Sequence, residues 1–274
     1  MPEGPETKRM VDSISKSLVG KEIISHRFFH EELLHLNSKN QITIINALSK
    51  SKAIILRLDD GYSIISHNQL YGKWTFNRPK TIINTNRQLR IEFVTKSKAV
   101  RLWSATDIKL FLTKNEHQHP YLKKIGPDVL DDSTTIDYII KILESKNVCN
   151  RSLSNVLLDQ SVISGLGNYL RSEILFFASL MHTQKVSELS RAKLNKLAKS
   201  IKEVSVRAYV QKGKTIDLNY FEKEFGNKEN FKRVRHMVFS REGLPCFICG
   251  NSILKQVVSA RRIFLCPCCQ NLKE

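Results

Sequence analysis

What this sequence lacks narrows its class first. No apolar run approaches the roughly 20 residues that a helix needs to cross a bilayer, so a membrane protein of that kind is not expected. The opening MPEGPETKRM carries acids and has no apolar stretch of the secretory type, which makes a soluble, cytoplasmic protein the expectation. Internal repeats and low-complexity tracts are missing as well. Acidic residues are in short supply: 26 Asp and Glu stand against 44 Lys and Arg, for a formal charge of +18. Such an excess favours polyanionic partners, nucleic acid first and anionic membrane second. A Lys- and Ile-rich composition set by codon usage gives the same excess, so charge alone does not decide. Cysteine is scarce outside one place. Five of the six lie between Cys246 and Cys269, with Cys149 apart. A reducing compartment keeps thiols free, so this clustering points to a metal rather than to disulfides.

A chain of 274 residues accommodates two domains. Met10, Val11, Ile14 and Leu18 recur at helical spacing up to Gly20 and predict a leading helix. From Glu22 to about Leu112 the texture is β-rich, with strands expected at Ile42–Ile45, Ala53–Leu58, Tyr62–Ile65, Leu89–Val94 and Ala99–Trp103. After Pro120, Gly126 and Pro127 the pattern turns helical over Ile136–Leu143, Leu153–Asp159, Tyr169–Leu180 and Glu188 to about Val210. The expected fold is therefore α+β in two domains. Residues 1–116 form a β-sandwich with its leading helix, 117–132 a linker, 133–230 a helical domain, and 231–274 a cysteine-rich β-hairpin.

Cys246, Cys249, Cys266 and Cys269 read C-x2-C-x16-C-x2-C, a spacing that wraps four thiolates around one tetrahedral structural zinc ion. Cys268 falls out of that register, although a ligand set including it is the alternative. Between the pairs, Ile253–Val258 and Ile263–Leu265 read as strands joined by Ser259-Ala260-Arg261-Arg262, which places two arginines at a hairpin tip. Upstream, Gly165-Leu166-Gly167-Asn168 separates two apolar helical stretches, with Asn168 at the expected N-cap of the second. A helix start of that kind can hold a phosphate; it also serves as an ordinary capped turn. At the other end of the chain, removal of Met1 would expose the secondary amine of Pro2. An α-amino group titrates near 8, against about 10.4 for lysine, so a usable fraction is neutral and nucleophilic at pH 7. Glu3 stands beside it as an acid–base partner.

In this order the pieces resemble the formamidopyrimidine–endonuclease VIII family of DNA glycosylases, along nearly the whole chain. The resemblance runs through Met-Pro-Glu-Gly-Pro-Glu, Ser-His-Asn-Gln-Leu-Tyr-Gly (66–72), His119-Pro120, Gly126-Pro127-Asp128-Val129-Leu130, Leu157–Leu175 and the cysteine hairpin. It implies that Pro2 is the nucleophile, that Glu3 assists it, and that Glu6 lies near the site. It further implies that Lys52, at the start of a β-domain strand, contacts the phosphate beside the lesion. Asn168, in a helix–two-turns–helix element, and Arg261, five residues before the third cysteine, imply further phosphate contacts. Gln69, Leu70 and Tyr71 match the endonuclease VIII version of the loop that fills the gap left by a flipped base. The implied activity is a DNA glycosylase and abasic-site lyase of base excision repair, acting on oxidised pyrimidines in duplex DNA through a Pro2 iminium and β,δ-elimination. The implied enzyme is a monomer on the bacterial nucleoid with one zinc ion as its only cofactor. The alternatives are a glycosylase for oxidised purines such as 8-oxoguanine, and a zinc DNA-binding protein without catalysis.

Overall fold

The computed structural model describes residues 2–216 and 234–270. They form two compact units. Residue 2 with 6–124 makes the first, and residues 3–5 with the described part of 125–274 make the second. The expected boundary at residues 230 and 231 lies outside the described residues.

Helix α1 (Gly4–Leu18), which belongs to the first unit from Glu6 onward, starts earlier than its apolar stripe, and Val11, Ile14 and Leu18 on that stripe are buried. Eight strands follow: β1 (Ser25–Phe28), β2 (Ile44–Lys50), β3 (Ala53–Leu58), β4 (Tyr62–His67), β5 (Lys73–Asn77), β6 (Leu89–Val94), β7 (Ala99–Trp103) and β8 (Asp107–Leu112). They pair into two antiparallel sheets, ordered β2-β3-β4-β8 and β1-β6-β7-β5. One core joins Ile54, Leu56 and Ile64 of the first sheet to Phe93, Val100 and Leu102 of the second, with the α1 stripe added. Burying one apolar face of each sheet against the other is what makes the sandwich. β1, β5 and β8 were not expected. Each is short or alternates weakly, and each sits at a sheet edge where less of it needs to be apolar. The strand expected at Ile42–Ile45 instead runs from Ile44 to Lys50. Tyr62–Ile65 extends to His67.

The second unit contains α2 (Ile136–Leu143), the single turn α3 (Leu153–Val156), α4 (Asn168–Ala178), α5 (Arg191–Val210), and the hairpin strands β9 (Leu254–Val258) and β10 (Arg261–Leu265). Thr135 and Ser190 cap α2 and α5 by accepting the N–H groups of Tyr138 and Lys193. The helix expected over Leu153–Asp159 stops at Val156, with Asp159 turned to accept from Ser161 N and from Arg151. α4 begins at Asn168 and ends at Ala178, where Ser179 takes a left-handed conformation. α5 begins at Arg191 rather than Glu188, because Val186–Glu188 is a separate 3-10 turn. Leu170, Ile174, Leu197 and Ile201 fill the core between α4 and α5. The hairpin docks on α4: Phe264 N donates to Ser172 Oγ at 3.3 Å, and Gln270 Nε2 donates to the Leu180 carbonyl at 2.8 Å. No helix among the described residues is long and apolar enough to cross a membrane.

Candidate functional site

The N-terminal segment and the Gly-Leu-Gly-Asn turn meet within the second unit. Glu3 is buried, and its carboxylate accepts from Tyr169 N at 2.9 Å and Leu170 N at 3.3 Å. These N–H groups belong to the first turn of α4, which has no preceding turn to accept them, so Glu3 occupies the positive end of that helix. Gly4 N donates to the Gly165 carbonyl at 2.8 Å. Both glycines of the turn have a reason. Gly165 sits at φ +94°, a conformation that disfavours any side chain, and a Cβ on Gly167 would lie 2.3 Å from Glu3 Cδ. Gln160 clamps the turn from within, donating to the Leu166 carbonyl at 3.0 Å and accepting from Gly165 N at 3.2 Å. This corrects one expectation. Asn168 is the first residue of α4 and Gly167 its N-cap, because the side chain that caps the helix belongs to Glu3. A phosphate therefore cannot use the N–H groups of Tyr169 and Leu170. Pro2 is half-buried just before α1, and Glu6 accepts from Arg9 Nη2 at 3.3 Å.

Asn168 is instead held through its side chain. Its Oδ1 accepts from Nη2 of Arg171 at 2.8 Å, and Arg171 is fully buried. That guanidinium also donates to Ser154 Oγ at 2.8 Å and to the Arg262 carbonyl at 3.1 Å. Arg171 was not singled out from the sequence, although its i+3 position from Asn168 puts both on one helix face. Five residues after Asn168, buried Glu173 accepts from the backbone N–H of Met237, Val238 and Phe239 and from Thr215 Oγ1, at 2.6 to 2.9 Å. This carboxylate ties α4 to the chain leading into the hairpin, and it too carried no sequence signal.

The four expected cysteines converge. The sulfur atoms of Cys246, Cys249, Cys266 and Cys269 all lie within 4.8 Å of one another, with Cys246–Cys269 at 3.8 Å and Cys249–Cys266 at 3.4 Å. A tetrahedral zinc with bonds of about 2.3 Å demands sulfur–sulfur edges of about 3.8 Å, so the donor set fits the ion in both chemistry and spacing. Cys268 is exposed and outside the cluster. The hairpin tip differs from expectation. Its turn is only Ser259-Ala260, both at positive φ (49° and 59°), and Arg261 pairs with Val258 as the first residue of β10. A two-residue turn with both residues left-handed matches the twist of paired strands, but Ser-Ala lacks the Gly or Asn that would announce it. Arg261 and Arg262 are both exposed.

In the first unit Lys52 lies in the β2–β3 turn rather than on a strand. It follows Ser51 at φ 60° and is 9% exposed. Tyr121 supports it: the Tyr121 hydroxyl lies 2.9 Å from Ser51 Oγ and 3.4 Å from Lys52 N. The His67 ring packs on Tyr121 with centroids 4.8 Å apart, and its Nδ1 accepts from Gln69 N. Burial lowers the His67 pKa from 6.5; Asp107 opposes this, while Lys52 and His119 add to it. The loop after β4 is exposed, with Leu70 at 67% and Tyr71 at 68%. Apolar side chains this open on a turn contribute nothing to the sandwich core. Arg87 donates to the Tyr71 carbonyl and Thr106 Oγ1 to Gln69 Oε1, so the loop is braced from its own unit.

Comparison with known proteins bears on the fold and the family. Residues 1–111 match the formamidopyrimidine-DNA glycosylase N-terminal domain, and residues 125–219 its H2TH domain. The chain is 34% identical over 271 residues to endonuclease 8 of Salmonella paratyphi B, covering 98% of this chain and 100% of that protein. Endonuclease 8 of Escherichia coli is 34% identical over 274 residues, with coverage of 99% and 100%. The fold is shared with Lactococcus lactis formamidopyrimidine-DNA glycosylase, solved non-covalently bound to DNA containing an abasic site, at TM-score 0.78, 22% identity and coverage of 98% and 99%. The same Lactococcus lactis protein solved with DNA containing an oxidised pyrimidine gives a TM-score of 0.79. The chain belongs to the formamidopyrimidine-DNA glycosylase and endonuclease VIII family of DNA glycosylases with abasic-site lyase activity.

Proposed function

We propose that this enzyme removes oxidised pyrimidines from duplex DNA and then cuts the strand by β,δ-elimination, with the Pro2 amine as nucleophile. The observation that carries the reading is the exposed Gln69-Leu70-Tyr71 loop, an apolar wedge with no partner in its own core. Extruding a stacked base costs a few kcal/mol, less for a damaged one. Leu70 and Tyr71 occupy the vacated stack while Gln69 faces the orphaned base. Lys52, Asn168 and Arg261 hold phosphates of the damaged strand. Zinc, bound by Cys246, Cys249, Cys266 and Cys269, supplies no chemistry; it holds the strands that present Arg261.

In the reaction the neutral Pro2 nitrogen forms a bond to C1′, and the C1′–base bond breaks with the pair of electrons leaving on the base. The attack leaves a proton on the Pro2 nitrogen; the Glu3 carboxylate takes it and delivers it to the ring oxygen as the C1′–O bond breaks, the departing base takes a proton from water, and an iminium remains between C1′ and Pro2. The iminium acidifies C2′. Loss of a C2′ proton expels the 3′ phosphate, a second elimination expels the 5′ phosphate, and water hydrolyses the iminium to restore Pro2. The enzyme acts as a monomer in the cytoplasm, on the bacterial nucleoid.

A nicking panel of thymine glycol, other oxidised pyrimidines and 8-oxoguanine, in single- and double-stranded DNA, tests the substrate class. Pyrimidine lesions are expected to be cut fastest, and borohydride to trap the protein on DNA through Pro2. Preferential cutting at 8-oxoguanine would move the enzyme to oxidised purines. Binding without trapping on any lesion would leave a non-catalytic DNA-binding protein.

A further inference from the structure

We infer that Arg171 is a positioning residue of the phosphate clamp: it turns the Asn168 amide so that Nδ2 faces DNA. The inference rests on the reading above in which Asn168 and Arg261 hold phosphates. A guanidinium has only donors, so the Asn168 atom 2.8 Å from Arg171 Nη2 must be the oxygen. The amide nitrogen, which can only donate, is thereby directed to the opposite side. An unrestrained Asn amide is free to present either end, and half of those orientations oppose a phosphate with a carbonyl oxygen.

The same guanidinium reaches the Arg262 carbonyl, one residue beyond Arg261, and Ser154 on α3. One buried side chain thus joins the helix start to the hairpin strand. Such burial is costly without compensation, and among the described residues Arg171 makes no ion pair, while its Nε has no acceptor. Burial, and next the positive charge of Arg261, draws its pKa down to about 10, with Glu3 opposing. It is charged at neutral pH all the same, surrounded by neutral oxygens. A merely structural tie at this position is served as well by an uncharged side chain. A cation suits a place where a phosphate arrives in front of Asn168 and Arg261.

The test is a double-mutant cycle on affinity for a duplex bearing a tetrahydrofuran abasic analogue, with zinc content and thermal midpoint measured for each protein. Arg171→Met is expected to weaken binding about tenfold in the parent, as for a lost charged hydrogen bond. In an Asn168→Ala background it should cost less than about threefold, because its effect passes through that amide. Arg171→Lys should recover part of the loss. Equal losses in both backgrounds would overturn the inference and leave Arg171 a structural tie. Asn168→Asp covers the case in which Arg171→Met fails to fold. Aspartate still accepts from Arg171 but aims its second oxygen at the phosphate, so it should bind more weakly than Asn168→Ala. Equal or tighter binding by Asn168→Asp would also overturn the inference. If Asn168→Ala alone keeps full affinity, the phosphate role of Asn168 fails, and this inference falls with it.

Discussion

Replacing Gly167 with alanine tests whether the seat of Glu3 matters for chemistry. Gly167 has φ −151° and ψ −156°, extended backbone that alanine tolerates, so the substitution acts through space rather than through backbone strain. The added Cβ would stand 2.3 Å from Glu3 Cδ and 2.4 Å from Oε1. Carbon–carbon contacts settle at about 3.5 Å, so the carboxylate must retreat by about 1 Å. The hydrogen bonds from Tyr169 N and Leu170 N, now 2.9 and 3.3 Å, would then open beyond bonding distance. Overpacking of this kind costs about 1–3 kcal/mol in stability, which lowers the thermal midpoint by about 2–4 °C per kcal/mol in a protein of this size. Displacing a catalytic group by about 1 Å costs about a hundredfold in rate. Single-turnover base excision at saturating enzyme is therefore expected to fall about a hundredfold, with affinity for a non-cleavable abasic analogue changing far less. A saturated rate within about threefold of the parent, beside the expected loss of thermal stability, would refute the reasoning. Glu3 would then not need this seat.

Three other outcomes are expected. Chelation, or Cys246→Ser, should weaken DNA binding by loosening the strands that carry Arg261, whereas Cys268→Ser should leave metal content unchanged; loss of metal in Cys268→Ser, checked by elemental analysis, would overturn the ligand set. Leu70→Ala and Tyr71→Ala should cost under about 0.5 kcal/mol of stability, since both side chains are exposed. They should slow excision from duplex DNA and leave single-stranded substrate unaffected, and an equal effect on both substrates in the nicking assay would contradict a wedge. Burial lowers the His67 pKa below 6.5, so the unfolded chain takes up the proton first. Its contribution to stability is present above pH 6.5 and lost as pH falls through the folded value; an NMR titration of the ring with a midpoint above 6.5 would contradict this.

Several features were legible in the chain because they depend on neighbours in sequence. The order of β-rich and helical segments follows from hydrophobic period, and the ligand register from C-x2-C spacing, which left Cys268 out. The Gln69-Leu70-Tyr71 loop was also visible, but its exposure was not, since a Leu-Tyr pair reads equally well as core. The cap of α4 could not be read at all. It is a carboxylate 166 residues away along the chain from the N–H it accepts, and local pattern offered Asn168 in its place. Arg171 looked like one basic residue among 44. Only packing shows that it is enclosed, because burial depends on what α3 and the hairpin bring around it. The Ser259-Ala260 turn, likewise, was decided by strand pairing over residues with no turn preference of their own. Local chemistry determined what each segment could be. The long-range contacts decided which polar groups face one another, because unpaired donors and buried charges are satisfied only by partners that folding delivers.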